Sequence, residues 1–254
     1  MYAVGHLALG YLTGKASAKL QAVKANVPTI LVLSILPDAD ILLQPFIPGI
    51  HRGPTHSIIV LSLIFLPIFL IHRKKAVPYF VAIVSHPLIG DFLVGRTKLL
   101  WPLQTSFGIG IPIPSSTNVV LEWSLFLLSI ILMLKTTDMH TFLEPHLSNL
   151  LLCIPAFTVL LPTIASFPLG VPVWLEPPHL IYMLIFVVAI ILALPKLFKN
   201  ASLQKLFVHG MKFEPQRRLR LLHSSTGQPH AYRVHDRPSW NEAHAVQQFT
   251  LRHA

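Results

Sequence analysis

A single cysteine, Cys153, stands in the chain. One thiol excludes an internal disulfide framework and any cysteine-rich zinc site, and it leaves Cys153 as a small apolar side chain. Charge is also scarce. Of the 254 residues, 12% are charged, against about 25% in soluble domains. Acid is scarcest, with ten Asp/Glu against twenty Lys/Arg. Neither a Gly-x-Ser-x-Gly elbow nor a Walker phosphate loop occurs, which sets aside the hydrolases and nucleotide-binding proteins built on those motifs. There is no internal repeat, and no basic stretch regularly interleaved with aromatics, so no specific nucleic-acid binding is predicted. No basic residue precedes Lys15, so a cleavable signal peptide is not expected.

What the chain does have is long apolar runs, at about 27–46, 57–71, 76–95, 117–134, 150–169 and 179–198. A membrane-spanning helix takes about 20 such residues. With 53% hydrophobic residues and a mean hydropathy of +0.61, the chain is too apolar for a soluble core to hide them all. The expected fold is all-α, a polytopic membrane helix bundle of about five to seven helices. Several runs are short or carry proline, which predicts tilted, broken or re-entrant segments. Residues 2–20 form a weaker segment in which Gly5, Gly10 and Gly14 permit close helix packing.

Basic residues set an orientation. Lys15, Lys19 and Lys24, then Arg73, Lys74 and Lys75, then Lys135, then Lys196 and Lys199 alternate with the runs, and the positive-inside rule places them in the cytoplasm. The loops at 41–56, 96–116 and 170–178 then lie outside. Residues 1–198 are the expected membrane-embedded domain. Residues 199–254 are the expected cytoplasmic tail, polar and partly disordered, with nine Lys/Arg against three Asp/Glu. Such a tail is expected to contact anionic lipid headgroups. A short amphipathic helix near 201–213, with Leu203, Leu206, Phe207 and Met211 on one side, would lie on the membrane surface.

Three of the seven acidic residues in the first 198 positions stand near histidines in this apolar sequence: Asp38, Asp40 and Asp91 with His6, His51, His56 and His86. A carboxylate in hydrocarbon costs several kcal/mol unless it is paired or bound. Imidazole and carboxylate without thiolate suit a divalent cation such as zinc or manganese. The alternating topology brings Asp38, Asp40, His51, His56, His86 and Asp91 to the same, external face of the cell membrane. Asp38 and Asp40 are either a metal-binding pair freed by Pro37 from helical register, or a helix terminus with one capping and one solvated carboxylate. His51 and His56 flank the Gly53-Pro54 turn, and Thr55 and Ser57 are either caps or outer donors to a histidine. His86 and Asp91 are five apart, about 140° on an α-helix, so one site can use both only if Pro87 and Gly90 distort the helix. Glu122 is an intramembrane glutamate without an evident partner. His72, His140, Glu144, His146, Glu176 and His179 read as loop or interface residues.

Gly5-His6, Leu36-Pro37-Asp38-x-Asp40, His51-Arg52-Gly53-x-Thr55-His56-Ser57, Ser85-His86…Asp91 and Leu99-Leu100-Trp101-Pro102, in that order over about residues 1–105, resemble the YdjM-like membrane proteins. The resemblance implies an inner-membrane-associated metal-dependent hydrolase. It makes His6, Asp38, Asp40, His51, His56, His86 and Asp91 the candidate ligands, with Arg52 and Trp101 lining the site. The family spacing from the histidine to the following aspartate is one helical turn, and this chain is one residue longer. Hydrolysis through metal-activated water is the leading chemistry. Asp38 and Asp40 are the candidate proton acceptors and Arg52 is the cation for a phosphate or carboxylate. The substrate expected at headgroup depth is a phosphate ester or another lipid-linked group. A metal-ion or proton-coupled transporter and a non-catalytic membrane adaptor are the alternatives.

Overall fold

The structure, a computed structural model, describes residues 1–167 and 170–212. Residues 1–203 form one compact unit. Among the described residues, seven helices reach nine residues or more, and the architecture is all-α. The first, α1 (Ala3–Leu20), is the central rod: Val4, Leu7, Ala8 and Tyr11 are fully buried. It packs against α2 (Val27–Ile35), α4 (Val77–Ser85) and α5 (Ser116–Lys135), while α3 (Ile58–His72) lies against α4. Close approach to α2 depends on Gly10, where any side chain would collide with Ser34. Asn26 opens α2 by accepting the Thr29 N–H at 3.0 Å.

Three proline-bearing apolar runs do not form simple spanning helices. After Ile35 the chain tightens into a 3-10 helix over Leu36–Leu43, because Pro37 has no N–H to continue the α pattern. The α4 helix likewise widens into a π-helical segment, His86–Asp91, around Pro87. The α3 helix holds 15 residues and buries only Leu61 and Phe65. The runs at 27–46 and 76–95 are thus each two joined pieces, and that at 57–71 is short, in keeping with the breaks expected of proline-bearing runs.

Past the connecting loop come α5, the short α6 (Asp138–Leu143), α7 (Leu147–Ile164) and α8 (Glu176–Lys212). Three stretches are long and apolar enough to cross a membrane: Ser116–Lys135, Leu147–Ile164 and Val173–Lys199. They match three expected runs. The helix expected near 201–213 is present as the end of α8, and the rest of the expected tail lies outside the described residues. The main core joins Leu7 and Tyr11 of α1, Leu31 and Ile35 of α2, Phe126 of α5, Leu160 of α7, and Tyr182 and Phe186 of α8.

Several polar side chains inside this core find partners. The Tyr182 hydroxyl lies 2.8 Å from Ser129 Oγ, which donates to the Phe126 carbonyl at 2.7 Å. At the far end of α1, Asp138 accepts from Tyr11 at 2.7 Å and pairs with Lys15 at 2.8 Å. His179, expected in a loop or interface, is instead fully buried in α8. Its Nδ1 lies 2.6 Å from the Leu175 carbonyl, which lets that edge of the ring leave water.

Candidate metal centre

Four helical elements deliver the cluster. His6 comes from the first turns of α1. Asp38 and Asp40 come from the 3-10 segment after α2, His56 from the 3-10 turn Pro54–His56, and His86 and Asp91 from the two ends of the π-helical segment. The π segment answers the spacing problem. With i to i+5 hydrogen bonding, residues five apart turn back toward the same side of the helix, and His86 Nε2 is 3.6 Å from Asp91 Oδ2. Pro87 and Gly90 permit this register. Gly90 also leaves room for His6: a β-carbon there would stand 2.6 Å from His6 Cε1 and 2.7 Å from Nδ1. The His6 ring is stacked on His86 with centroids 3.5 Å apart and cannot easily yield.

Three overlapping triads bring their ligand atoms within 4.8 Å of one another: His6, Asp38 and His86; Asp38, His51 and His56; and His56, His86 and Asp91. Each triad could hold a metal ion. At the centre, His56 Nε2 and His86 Nε2 are 3.2 Å apart. Asp38 Oδ1 lies 3.3 Å from His56 and 3.2 Å from His86. Asp91 Oδ2 lies 3.4 Å from His56 Nε2 and, as noted, 3.6 Å from His86. Ligand atoms about 2.0–2.1 Å from a tetrahedral cation stand about 3.3 Å from each other, so these separations fit.

The protonation pattern fits as well. His86 Nδ1 is 2.8 Å from the Ser34 carbonyl, which can only accept, so this nitrogen carries the hydrogen. Thr55 donates its hydroxyl hydrogen to Asp40 Oδ2. Its oxygen therefore accepts from His56 Nδ1 at 2.9 Å. When both imidazoles are neutral, two Nε2 lone pairs face each other, an arrangement that a cation between them relieves. The outer hydrogen bonds are those that orient metal-bound histidines. His6 Nδ1 and Nε2 and Asp91 Oδ2 are buried without hydrogen-bond partners, a cost that a bound ion would remove for the atoms facing it.

Asp40 belongs to none of the triads. Two residues apart on a 3-10 helix, Asp38 and Asp40 face different neighbours. Asp40 Oδ1 is 2.8 Å from His51 Nδ1 and its Oδ2 serves Thr55, so it holds the two outer histidine arms. Arg52 adopts the left-handed backbone conformation at φ 61°, uncommon for a residue other than glycine. Its side chain folds back over Gly95, where any β-carbon would collide with the guanidinium. Nη2 reaches Asp91 Oδ1 at 3.1 Å, and the Met1 amino nitrogen stands 3.5 Å from the same oxygen. Among the described ion pairs Asp38 meets only imidazoles, so a divalent ion here would supply positive charge that the side chains around it do not.

Other candidates lie outside the cluster. The Trp101 carbonyl accepts from Ser57 Oγ at 3.2 Å, and its indole makes no contact with the histidines among the described hydrogen bonds and ring contacts. Lys98 bonds Gln104 at 2.7 Å. The loop that carries Arg96, Lys98 and Trp101 is closed by short bridges, Val94 with Ile111 and Thr97 with Phe107. One contributor was not legible in the sequence: the Ser34 carbonyl carries no side-chain signal. Glu122, singled out without a partner, accepts the Tyr2 N–H at 2.7 Å and the Gly5 N–H at 3.2 Å, capping α1 just before His6.

The YdjM inner membrane protein family model matches residues 1–192. The chain belongs to the YdjM inner membrane protein family. The match takes in α1 to α7 and most of the apolar part of α8, well beyond the motif words. No curated protein and no solved structure matches the chain significantly. For a YdjM-family membrane protein with this His/Asp cluster, a substitution at Gly90 is informative. Gly90→Ala is expected to push the His6 ring off His86 and weaken metal binding about tenfold, the scale of an outer-contact loss. A metal titration of the purified variant checks it.

Proposed function

We propose that this chain is a membrane-bound metal-dependent hydrolase acting on a phosphate ester or another lipid-linked substrate. The observation that carries the reading is that Asp38 and Asp91 each approach both His56 Nε2 and His86 Nε2, at 3.2 to 3.6 Å, while the two nitrogens stand 3.2 Å apart. In this reading the four side chains hold one divalent cation, zinc or manganese, and His6 packs behind them. The ion would polarise a phosphoryl or carbonyl oxygen and make water a stronger acid.

The chain's own residues divide the remaining work. His51 takes the proton released as water attacks the ester: its Nδ1 is tied to Asp40, leaving Nε2 free as a base. Asp40 then stabilises the imidazolium. Arg52, with its side chain 19% exposed and one nitrogen anchored on Asp91, offers its remaining N–H groups to an anionic substrate. The reading places the centre toward the external face, with Lys24, Arg73, Lys74 and Lys75 cytoplasmic. It also places the basic tail against anionic headgroups.

The test is turnover by the purified full chain, loaded with zinc or manganese, on long-chain phosphate and carboxylate esters. His51→Gln should lower kcat by about 100-fold or more and leave the bound metal in place. Absence of turnover on every ester by the metal-loaded protein would reject the hydrolase. Metal uptake into proteoliposomes under the same conditions would move the assignment to transport.

A further inference from the structure

Outside the His/Asp cluster, a concavity of about 860 Å³ opens between α2, α3 and α4. Its walls are apolar, chiefly Leu33, Leu61, Ile64, Phe65, Ile68 and Ile83. Its polar groups sit at the ends. The start of α2, the end of α3 and the start of α4 bring Lys24, His72, Lys75 and Tyr79 to one end, and Thr55 stands at the other beside Pro37 and Pro54. The α3 wall runs from Val60 to His72, about 18 Å at the helical rise per residue. That is slightly more than half of a hydrocarbon core about 30 Å thick.

We infer that this groove binds an anionic phospholipid, with one acyl chain along the apolar walls and the phosphate at Lys24 and Lys75. Free phosphate has no use for some 18 Å of aliphatic wall. A zwitterionic or neutral lipid does not need the cations. Among the described residues, the Lys15–Asp138 bridge is the ion pair that any lysine makes, so Lys24 and Lys75 have no protein carboxylate to satisfy them. A basic pocket between helices at the membrane edge is a recurrent headgroup site. The chain's far end meets Thr55, whose hydroxyl bonds Asp40 and whose oxygen holds His56. Lipid occupancy therefore packs against the loop that carries the outer histidines. The site is separate from the hydrolase reading and stands or falls without it.

The experiment uses the full chain in detergent, native mass spectrometry, and phosphatidylglycerol against phosphatidylcholine with identical acyl chains. Preferential retention of phosphatidylglycerol is expected. The Lys24→Gln/Lys75→Gln double variant should lose about 30-fold in retention, from roughly 1 kcal/mol per lysine. Ile64→Trp, which fills the groove and keeps the lysines, should also lose the lipid while metal content is unchanged. A phosphatidylglycerol with a mid-chain diazirine should crosslink to Leu33, Ile64 or Ile68. Equal retention of the two lipids, a double variant that binds as wild type does, or crosslinks on outward residues such as Leu127 and Leu184 would each overturn the inference. So would displacement of the lipid by inorganic phosphate alone.

Discussion

His56→Ala is expected to empty the metal centre. The purified wild-type chain should carry about one divalent ion and the variant almost none, with affinity reduced by more than about 100-fold, beyond the 10–100-fold typical of losing an outer partner. His56 is the arm on which the cluster closes. Its Nε2 meets His86, Asp38 and Asp91 at 3.2, 3.3 and 3.4 Å, and its Nδ1 is held by Thr55. Removing it leaves Asp38 and Asp91 facing each other's charge with less to bind them, inside a region where both are more than nine-tenths buried. Thermal stability should therefore fall with the metal, and added zinc or manganese should raise the unfolding temperature of wild type but not of the variant. Metal analysis and a thermal scan in the same detergent check both parts. Asp40→Asn is the informative comparison. It keeps the four central atoms and disturbs only their outer support, so it should weaken metal binding without abolishing it.

Glu122→Ala should destabilise the fold by about 3 kcal/mol, since it strips one buried and one partly buried backbone N–H group of their acceptor, at about 1–3 kcal/mol each. Tyr2 N and Gly5 N are the first donors of α1, and the glutamate that receives them projects from α5. Helix starts are usually capped by the residue just before them; here the cap arrives from more than a hundred residues away. The same substitution should loosen the N-terminal turn of α1, which carries His6, and so lower metal affinity as a secondary effect. Glu122→Gln keeps one acceptor oxygen and should recover about half of the lost stability. Chemical or thermal unfolding of the three proteins in one detergent, with metal content measured alongside, separates the two effects.

Much of this was legible in the chain. The apolar runs near 117–134, 150–169 and 179–198 became helical stretches long enough to cross a membrane, the middle one by joining 3-10, α and π pieces around Pro155 and Pro162. The runs holding Pro37 and Pro87 are broken, as expected for proline-bearing runs, but the geometry of each break was not legible. The proline removes a donor, and the neighbouring turns relax into 3-10 or π geometry. That same relaxation set the site. On an α-helix His86 and Asp91 diverge; on the π segment they converge, and a sequence alone does not say which geometry a proline will select. The histidine and aspartate words gathered because charges this costly in an apolar interior need one another or a cation. The rank of each member was hidden. Asp40 looked equal to Asp38, yet its oxygens are taken by His51 and Thr55. Glu122 was recognisable as an anomaly, but its partners are backbone donors, which no side-chain pattern reveals. Ser34 matters through its carbonyl, so its identity carries no signal.

The central claim is that the buried imidazoles and carboxylates enclose a divalent cation. X-ray absorption spectroscopy at the metal edge of the purified wild-type chain, loaded with zinc and freed of excess ion, tests it most directly. The account predicts one zinc per chain with a first shell of nitrogen and oxygen at about 2.0–2.1 Å, showing the outer scattering of two imidazoles that falls to one in His86→Ala. A folded chain that retains no metal, or a zinc shell without imidazole, would contradict it.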